Sequence, residues 1–415
     1  MKSSMPAADV AVIGCGIVGL ATAFHLQQRG YSCLLIDAKG PGAEASFGNA
    51  GSVSVGNISP QSTPGIMWKG MRMLTDPMAP LKLDWPALPT YASWLLKFVA
   101  AGRQGRMVPL VDALHALNAR ARSAWLEVGE HIDASNLLAP EGYLHVYSDP
   151  ATLAQGEGNR RWMKERGVAF DVLDAQQLRE LEPNLGPGFH HGVFQRDSLA
   201  VRDPGEFCQH LFDHLVRQGA SSLTATVSAM RREGDAYRIT TDRGDVHAAQ
   251  VVVAAGAWTA RLLRPFGIRI PLVPARGYHL MFPHSARALR RPTLWAERYI
   301  VLSPMVQGMR MTGMKELTAL HRDPHPALIR RMAPEASKLL PGLEGNPVSE
   351  WAGHRPCTPD SLPVLDQVAD ERIFVATGHG HLGLTQGPVS GKLIAQAMAG
   401  EDTDVPLHAY RLDRF

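Results

Sequence analysis

The stretch Val10-Ala11-Val12-Ile13-Gly14-Cys15-Gly16-Ile17-Val18-Gly19 decides how the chain folds. Four apolar residues in an unbroken run read as a strand buried on both faces of a parallel sheet. Gly14, Gly16 and Gly19 follow in a G-x-G-x-x-G pattern. Ile17, Leu20, Ala21, Phe24 and Gln28 then recur at helical spacing, and Gly30 stops the helix. Cys33-Leu34-Leu35-Ile36 is a second buried strand, closed by Asp37 eighteen residues past Gly19. Each glycine has its own task. The first permits a tight turn, the second lets backbone approach a pyrophosphate, and the third packs the helix close to the strand. The helix N-terminus offers unpaired N–H groups to the phosphates, and the terminal acid can accept bonds from ribose hydroxyls. Together these elements predict a dinucleotide site at Gly14, Gly16, Ile17, Val18, Gly19, Asp37 and Ala38. The motif does not separate FAD from NAD.

Outward from this unit, residues 41–60 read as an ordered loop rich in Gly, Ser and Asn. Helical stretches are predicted at about 111–132 and through most of 150–182, with a strand at 142–147 between them. Asp203-Pro204-Gly205-Glu206 is a helix start, with Asp203 as cap and Glu206 placed to close a capping box. That helix should end near Gly219. Three strands follow near 223–229, 236–241 and 246–255, and others at 276–283, 298–303 and 308–314. The run Val251-Val252-Val253-Ala254-Ala255-Gly256-Ala257-Trp258 reads as another buried strand ending in a glycine, either plain core or a second cofactor-binding segment at Gly256 and Trp258. Residues 324–340 read as helix. The tail gives a strand at 373–376, a glycine loop at 378–383 and a last helix at 386–399. Strand–helix signals thus sit at both ends, with strand-rich segments between. This predicts an α/β nucleotide-binding domain interrupted by a domain on a largely antiparallel sheet.

Composition narrows the function classes. The chain has 415 residues, enough for two or three domains at roughly 150 residues each. Its 42 basic and 39 acidic residues leave a net charge of +3, too balanced for a nucleic-acid binder. The four cysteines, Cys15, Cys33, Cys208 and Cys357, include no CxxC pair, so neither a zinc site nor a dithiol motif is expected, and no metal is assigned. Val10 to Leu26 behind Lys2 imitates a signal peptide, but Asp9 and the three glycines argue against that reading. No other run is long and apolar enough to span a bilayer.

With these motifs in hand, the chain resembles the D-amino-acid oxidase superfamily of FAD enzymes, and within it the bacterial D-amino-acid dehydrogenases, including the hydroxyproline type. The resemblance runs nearly end to end. It rests on the fingerprint with Asp37 and on Ser46-Phe47-Gly48-Asn49-Ala50-Gly51, Arg276-Gly277-Tyr278 and Met309-Arg310-Met311-Thr312-Gly313. It continues through Gly353-His354-Arg355-Pro356-Cys357-Thr358-Pro359-Asp360 and Thr377-Gly378-His379-Gly380-His381-Leu382-Gly383. The long loop after Asn49 favours the dehydrogenase branch. What the resemblance implies is a Rossmann-like FAD-binding domain (6–60, 200–262 and 350–415) with an inserted substrate domain of D-amino-acid-oxidase type (61–199 and 263–349).

The resemblance also implies roles. Ser46, Asn49, Ala50, Gly51 and Ser52 would lie along the flavin, or else form a hydrogen-bonded turn. Gly378, His379, Gly380, His381, Leu382, Gly383, Leu384 and Thr385 would bring backbone and a helix N-terminus against the flavin ring, favouring the negative charge of reduction. His379 could equally be a structural bond donor. Arg355 would clamp a substrate carboxylate through two parallel bonds, or else pair with Asp360. Tyr278 and Tyr299 are candidate partners on that carboxylate, or core tyrosines. His354 departs from the apolar residue expected beside the clamp. Cys357 lies near the position where some relatives attach flavin covalently, but the segment reads as the noncovalent branch.

The expected function is FAD-dependent oxidation of a small D-amino or D-imino acid, such as D-alanine, D-proline or 4-hydroxy-D-proline, with electrons passed to a quinone. Two alternatives stay open: a glycine- or sarcosine-type oxidase using oxygen, and a flavin-binding subunit of a larger complex. Residues 61–100 crowd Met67, Trp68, Met71, Met73, Met78, Trp85 and Trp94 among prolines. They read either as a lid filling its own core or as a docking surface for a membrane or partner. The expected location is the cytoplasm, with contact at the inner face of the membrane as the second option.

Overall fold

A computed structural model describes residues 8–74, 79–285, 288–343, 346–368 and 371–415, apart from the side chains of Lys69, Met71, Arg72 and Leu74. Met78 and the Met71 side chain therefore lie outside the described residues. The opening run forms β1 (Ala8–Ile13), buried except at Asp9. α1 (Ile17–Gln27) crosses to β2 (Cys33–Asp37), which pairs with β1 in parallel. The parallel core runs Ser221–Thr224, β2, β1, Gly244–Val253 and Ile373–Thr377, so strands from both ends of the chain meet at its centre. The long strand Gly244–Val253 serves two neighbourhoods. Its first half carries the antiparallel pair Val227–Glu233 and Ala236–Thr241, and its second half lies in the parallel core. Four strands thus stand where the sequence predicts three. The turn at Ala225-Thr226 has no glycine or proline to announce it, so two strands read as one.

The second sheet has nine strands, mostly antiparallel. At its edge nearest the first sheet, Val273–Phe282 is flanked by Ser349–Cys357 and Gly308–Leu317. The strand Ser349–Cys357 spans the expected domain boundary at 350 and pairs with Val273–Met281 of this second sheet. Gly353 and Pro356 hide it from a reading of propensities. The stretch 324–340 resolves into two short helices, Ala327–Arg330 and Ala333–Leu339. Asp203 caps the helix Pro204–Arg217 as expected, accepting from the N–H groups of Gly205 and Glu206. Glu206 turns instead toward His210, 3.7 Å away. The Met- and Trp-rich segment forms two helices, Ile66–Leu74 and Leu88–Ala101.

The last helix, Gly383–Met398, starts three residues earlier than its periodicity suggests and contains Pro388. Proline has no N–H, so the carbonyl of Leu384, four residues back, loses its helical partner. The indole of Trp125 supplies one: Nε1 donates to Leu384 O at 2.9 Å, with Trp125 fully buried on the long helix Met107–His131. One cross-helix bond thus repairs the defect beside the glycine loop. Replacing Trp125 by Phe should leave that carbonyl buried and unpaired, costing about 2 kcal/mol. Urea unfolding of the variant checks this, and an unchanged midpoint and slope would show the bond to be dispensable.

Candidate active site

The site begins at the β1–α1 turn. Gly14 holds φ +103, and a Cβ there would lie 2.5 Å from Ala254 O on the neighbouring strand. A Cβ on Gly19 would lie 1.9 Å from Gly14 O, so α1 rides directly on the turn. Asp37 organises the opposite wall. Its Oδ2 accepts from Cys15 N at 2.8 Å, and its Oδ1 from the N–H groups of Lys39 and Gly40. Each carboxylate oxygen has two lone pairs, so acceptor capacity remains for a ribose. Ser46 Oγ accepts from Ile17 N at 3.0 Å, at the N-terminus of α1.

These elements edge a cavity of about 370 Å³ at the carboxyl ends of the parallel strands. Around it stand Gly14, Gly16, Ile17 and Val18 of the turn, then Asp37 and Ala38, then Ser46 and Asn49. Gly256 and Trp258 form a further wall, and His379, Gly380, Gly383 and Leu384 come from the C-terminal loop. Arg355 lines the same cavity. Several expected residues stand off it. Gly19 acts through packing alone. Gly51 O accepts from Val201 N, and Ser52 pairs with Ala200 in a small three-stranded sheet, so Ala50 to Ser52 turn away into structure. Thr385 Oγ1 accepts from Ser54 N. Gly378 sits against Thr358, Leu382 is core, and His381 bonds with Asn57 and Gln61. Cys357 is buried outside the cavity lining.

Sequence reasoning missed part of the wall. Thr226 arrives through the unannounced turn, and Trp351 through the hidden strand. The Trp351 ring lies over Gly48 and Gly353, where a Cβ would fall 2.0 and 2.1 Å from it, and stacks on His279 at 5.4 Å. Arg310 was also missed as a functional group. It is 1 % exposed, and its Nη1 donates to Phe47 O and Asn49 O at 2.7 and 2.8 Å, pinning the loop that carries Ser46. Burial pulls it to about 10. A lone arginine in a strand of methionines was the available signal.

Arg355 is enclosed by protein yet open to the cavity. Its guanidinium lies across Gly277, where a Cβ would fall 2.4 Å from Cζ, and Nη1 donates to Met314 O at 3.3 Å. Burial pulls its pKa down, and no carboxylate among the described residues lies within salt-bridge reach. The alternative partner, Asp360, pairs instead with Arg414 at 2.8 Å. The two tyrosines are not brought to the clamp. Tyr278 donates to Glu316 Oε2 at 2.6 Å and accepts from His325 N, in a buried group with Arg276. Tyr299 sits at φ +53 on a turn, 44 % exposed. Neither lines the cavity.

The histidines here are held neutral by burial. His354, on the cavity wall with Nδ1 unpartnered, is pulled to about 4, as are His145 and His279. His379, whose Nε2 meets Ser390 Oγ at 2.9 Å, is pulled to about 3, as is His381. All sit below the unfolded value of about 6.5. The unfolded chain therefore binds protons that the fold refuses, and stability is full above pH 6.5 and lost as pH falls toward 4. The thermal midpoint should drop by on the order of 5 °C between pH 7 and 5.5. A midpoint equal or higher at pH 5.5 would contradict this.

A glycine turn at the strand ends, an acid with spare lone pairs, a helix N-terminus and a cavity reaching Arg355 fit a dinucleotide with its reactive ring near that arginine. Comparison with known proteins agrees. The family model for FAD-dependent oxidoreductases, designated DAO, matches residues 9–397. The chain is 31% identical over 415 residues to a D-amino-acid oxidase of Bradyrhizobium diazoefficiens, covering 98% of each chain. It is 29% identical to a D-amino acid dehydrogenase of Allorhizobium ampelinum, again covering 98% of each. Among solved structures, glycine oxidase from Geobacillus kaustophilus shares the fold with a TM-score of 0.80 at 20% identity, covering 98% of this chain and 99% of that one. The chain belongs to the DAO family of FAD-dependent oxidoreductases and oxidises amines or amino acids with FAD as its cofactor.

Proposed function

We propose that the chain dehydrogenates the Cα–N bond of a small D-amino or D-imino acid and delivers the electrons to a quinone. The observation that carries the substrate class is Arg355, a cation that lines the cofactor cavity and has no carboxylate partner among the described residues. A guanidinium fixed across Gly277 can take a carboxylate through two parallel bonds, which sets orientation as well as charge. Bound FAD supplies the hydride acceptor. The protein's task is to hold the carboxylate so that the Cα–H points at that acceptor, with the amine neutral so that its lone pair can assist. His354 and His379, held neutral, are not placed as strong bases, so orientation carries the rate. The imine from an open-chain amino acid hydrolyses in water to a 2-oxo acid and ammonia, while a proline-type substrate leaves as its cyclic imine.

D-Alanine, D-proline and 4-hydroxy-D-proline mixed anaerobically with the holoenzyme should bleach the flavin, while the L-enantiomers should not. Arg355→Ala should slow reduction at low substrate by on the order of 100-fold. Gly277→Ala should displace the guanidinium and raise the half-saturating concentration by about 10-fold while flavin content stays unchanged. Reduction of Arg355→Ala at the wild-type rate would remove the clamp.

For the acceptor, the exposed side chains of one segment support a quinone held at a membrane. Met67, Trp68, Trp85, Leu96 and Val108 are exposed, and exposed Lys97, Arg103 and Arg106 lie among them. Apolar and basic groups together suit an anionic lipid surface. Among the described residues no helix is long and apolar enough to cross a membrane. The name of the Bradyrhizobium relative supports an oxygen-using alternative. The reduced enzyme should react with a soluble quinone analogue at least about 10-fold faster than with oxygen. Peroxide formed at the rate of turnover would favour the oxidase.

A further inference from the structure

One face of the second sheet receives the cofactor loop. His279, on the strand Val273–Phe282, pairs with Trp351 on one side and Thr312 on the other, and Met281, two residues on, pairs with Arg310. Opposed residues share a face, and so do residues two apart, so Trp351, His279 and Arg310 stand on one face of three adjacent strands. Arg355, four residues past Trp351 on its strand, stands on the same face. The loop 47–49 lies across the first three side chains. Arg310 Nη1 donates to Phe47 O and Asn49 O at 2.7 and 2.8 Å, and His279 Nδ1 lies 3.3 Å from Gly48 O. The Trp351 ring occupies the place of a Gly48 side chain. Three successive loop carbonyls are thus met from the sheet.

Burying Arg310 is unfavourable on its own. It is 1 % exposed, it stands between Met309 and Met311, and its Nε has no partner. Asp203, the acid whose charge reaches it, is occupied by the N–H groups of Gly205 and Glu206 and by Gln307. A buried cation without a paired carboxylate contributes less to folding than an apolar side chain of its size would. The loop, rather than the sheet, is what requires the arginine. One residue before Phe47, Ser46 lines the cavity, and its Oγ accepts from Ile17 N at 3.0 Å at the start of α1. Having accepted there, the hydroxyl has one hydrogen left to donate. On one side lies the Cys208 sulfur, a weak acceptor. On the other is the cavity, where an anionic oxygen is a much stronger one.

We propose that Arg310 is a positioning residue for the cofactor: by seating the loop 47–49 on the sheet face that carries Arg355, it holds the Ser46 hydroxyl where its hydrogen meets the pyrophosphate of FAD. Affinity for the cofactor then depends on a residue of the second sheet that does not itself line the cavity.

Holoenzyme diluted to equilibrium tests this, with the released flavin read by its fluorescence. No amino acid is involved, so the outcome is independent of the substrate reading. Arg310→Met should raise the dissociation constant of FAD by at least about 10-fold, with the circular dichroism at saturating FAD unchanged. ADP and adenosine serve as competitors. The inhibition constant of ADP should rise with that of FAD, while that of adenosine, which lacks the pyrophosphate, stays within about two-fold. Ser46→Ala should weaken FAD as well, and the double variant should be no weaker than the weaker single one, because both substitutions break the same chain of contacts. Arg310→Lys, which keeps donors for both carbonyls, should recover part of the affinity. An unchanged dissociation constant overturns the proposal. So does an equal loss for ADP and adenosine, or a double variant in which the two losses add. Should Arg310→Met not fold, Arg310→Gln, which keeps one neutral donor, carries the same comparisons with the same readings.

Discussion

A helix axis can approach a strand only as closely as the atoms between them allow, and here that limit is set by one contact. Gly14 O lies where a Cβ of Gly19 would be, and Ala254 O lies where a Cβ of Gly14 would be. Three chain segments thus meet with no side chain between them. This closeness seats α1 on the centre of the parallel sheet and points its N-terminus along the cavity. It also brings Ala254 to Trp258, from the middle of the sequence, against the turn at its start. The cavity walls come from several separate stretches because this contact gathers the strands that carry them.

The second sheet shows its purpose through the way it treats charge. Three arginines lie near its edge, and each is satisfied differently. Arg276 has a carboxylate in Glu316 and a tyrosine to complete the group. Arg310 has two loop carbonyls. Arg355 has one carbonyl at 3.3 Å and faces the cavity. A fully satisfied buried ion rigidifies, whereas an under-satisfied one is held ready for a partner. The gradient separates a structural arginine, a loop anchor and an arginine left open to the cavity more sharply than residue type could.

What the sequence shows of this arrangement follows the range of the interactions. The fingerprint, Asp37, the Asp203 cap and the helix beyond it are local patterns, and the structure places them as read. The family resemblance carries Arg355 to the cavity wall. Failures fall where a residue's role depends on a partner far along the chain. Tyr278 reads as a ligand for substrate but meets Glu316, brought beside it by a bulged register that no local signal announces. Ser52 and Thr385 stand off the cavity lining, held by strands at 199–201 and 52–53. Trp351 is invisible because glycine and proline disguise its strand. Its slot exists only once Gly48 and Gly353 are apposed.

In the segment 61–100 the described aromatic side chains divide into an inward and an outward set. Trp94 turns inward, 4 % exposed, and its indole donates to Cys357 O at the end of the strand that carries Arg355. Tyr91 is buried alongside and donates to Asp84 O. Trp68 and Trp85, 76 % and 59 % exposed, face outward. Packing therefore accounts for one set of aromatics and leaves the other without a core to fill. The inward set fastens the segment to the clamp strand. Tyr91 and Trp94 pack there with Val273, Ala275, Leu317 and Cys357, so the helix Leu88–Ala101 is held to the second sheet by an apolar cluster as well as by the indole hydrogen bond.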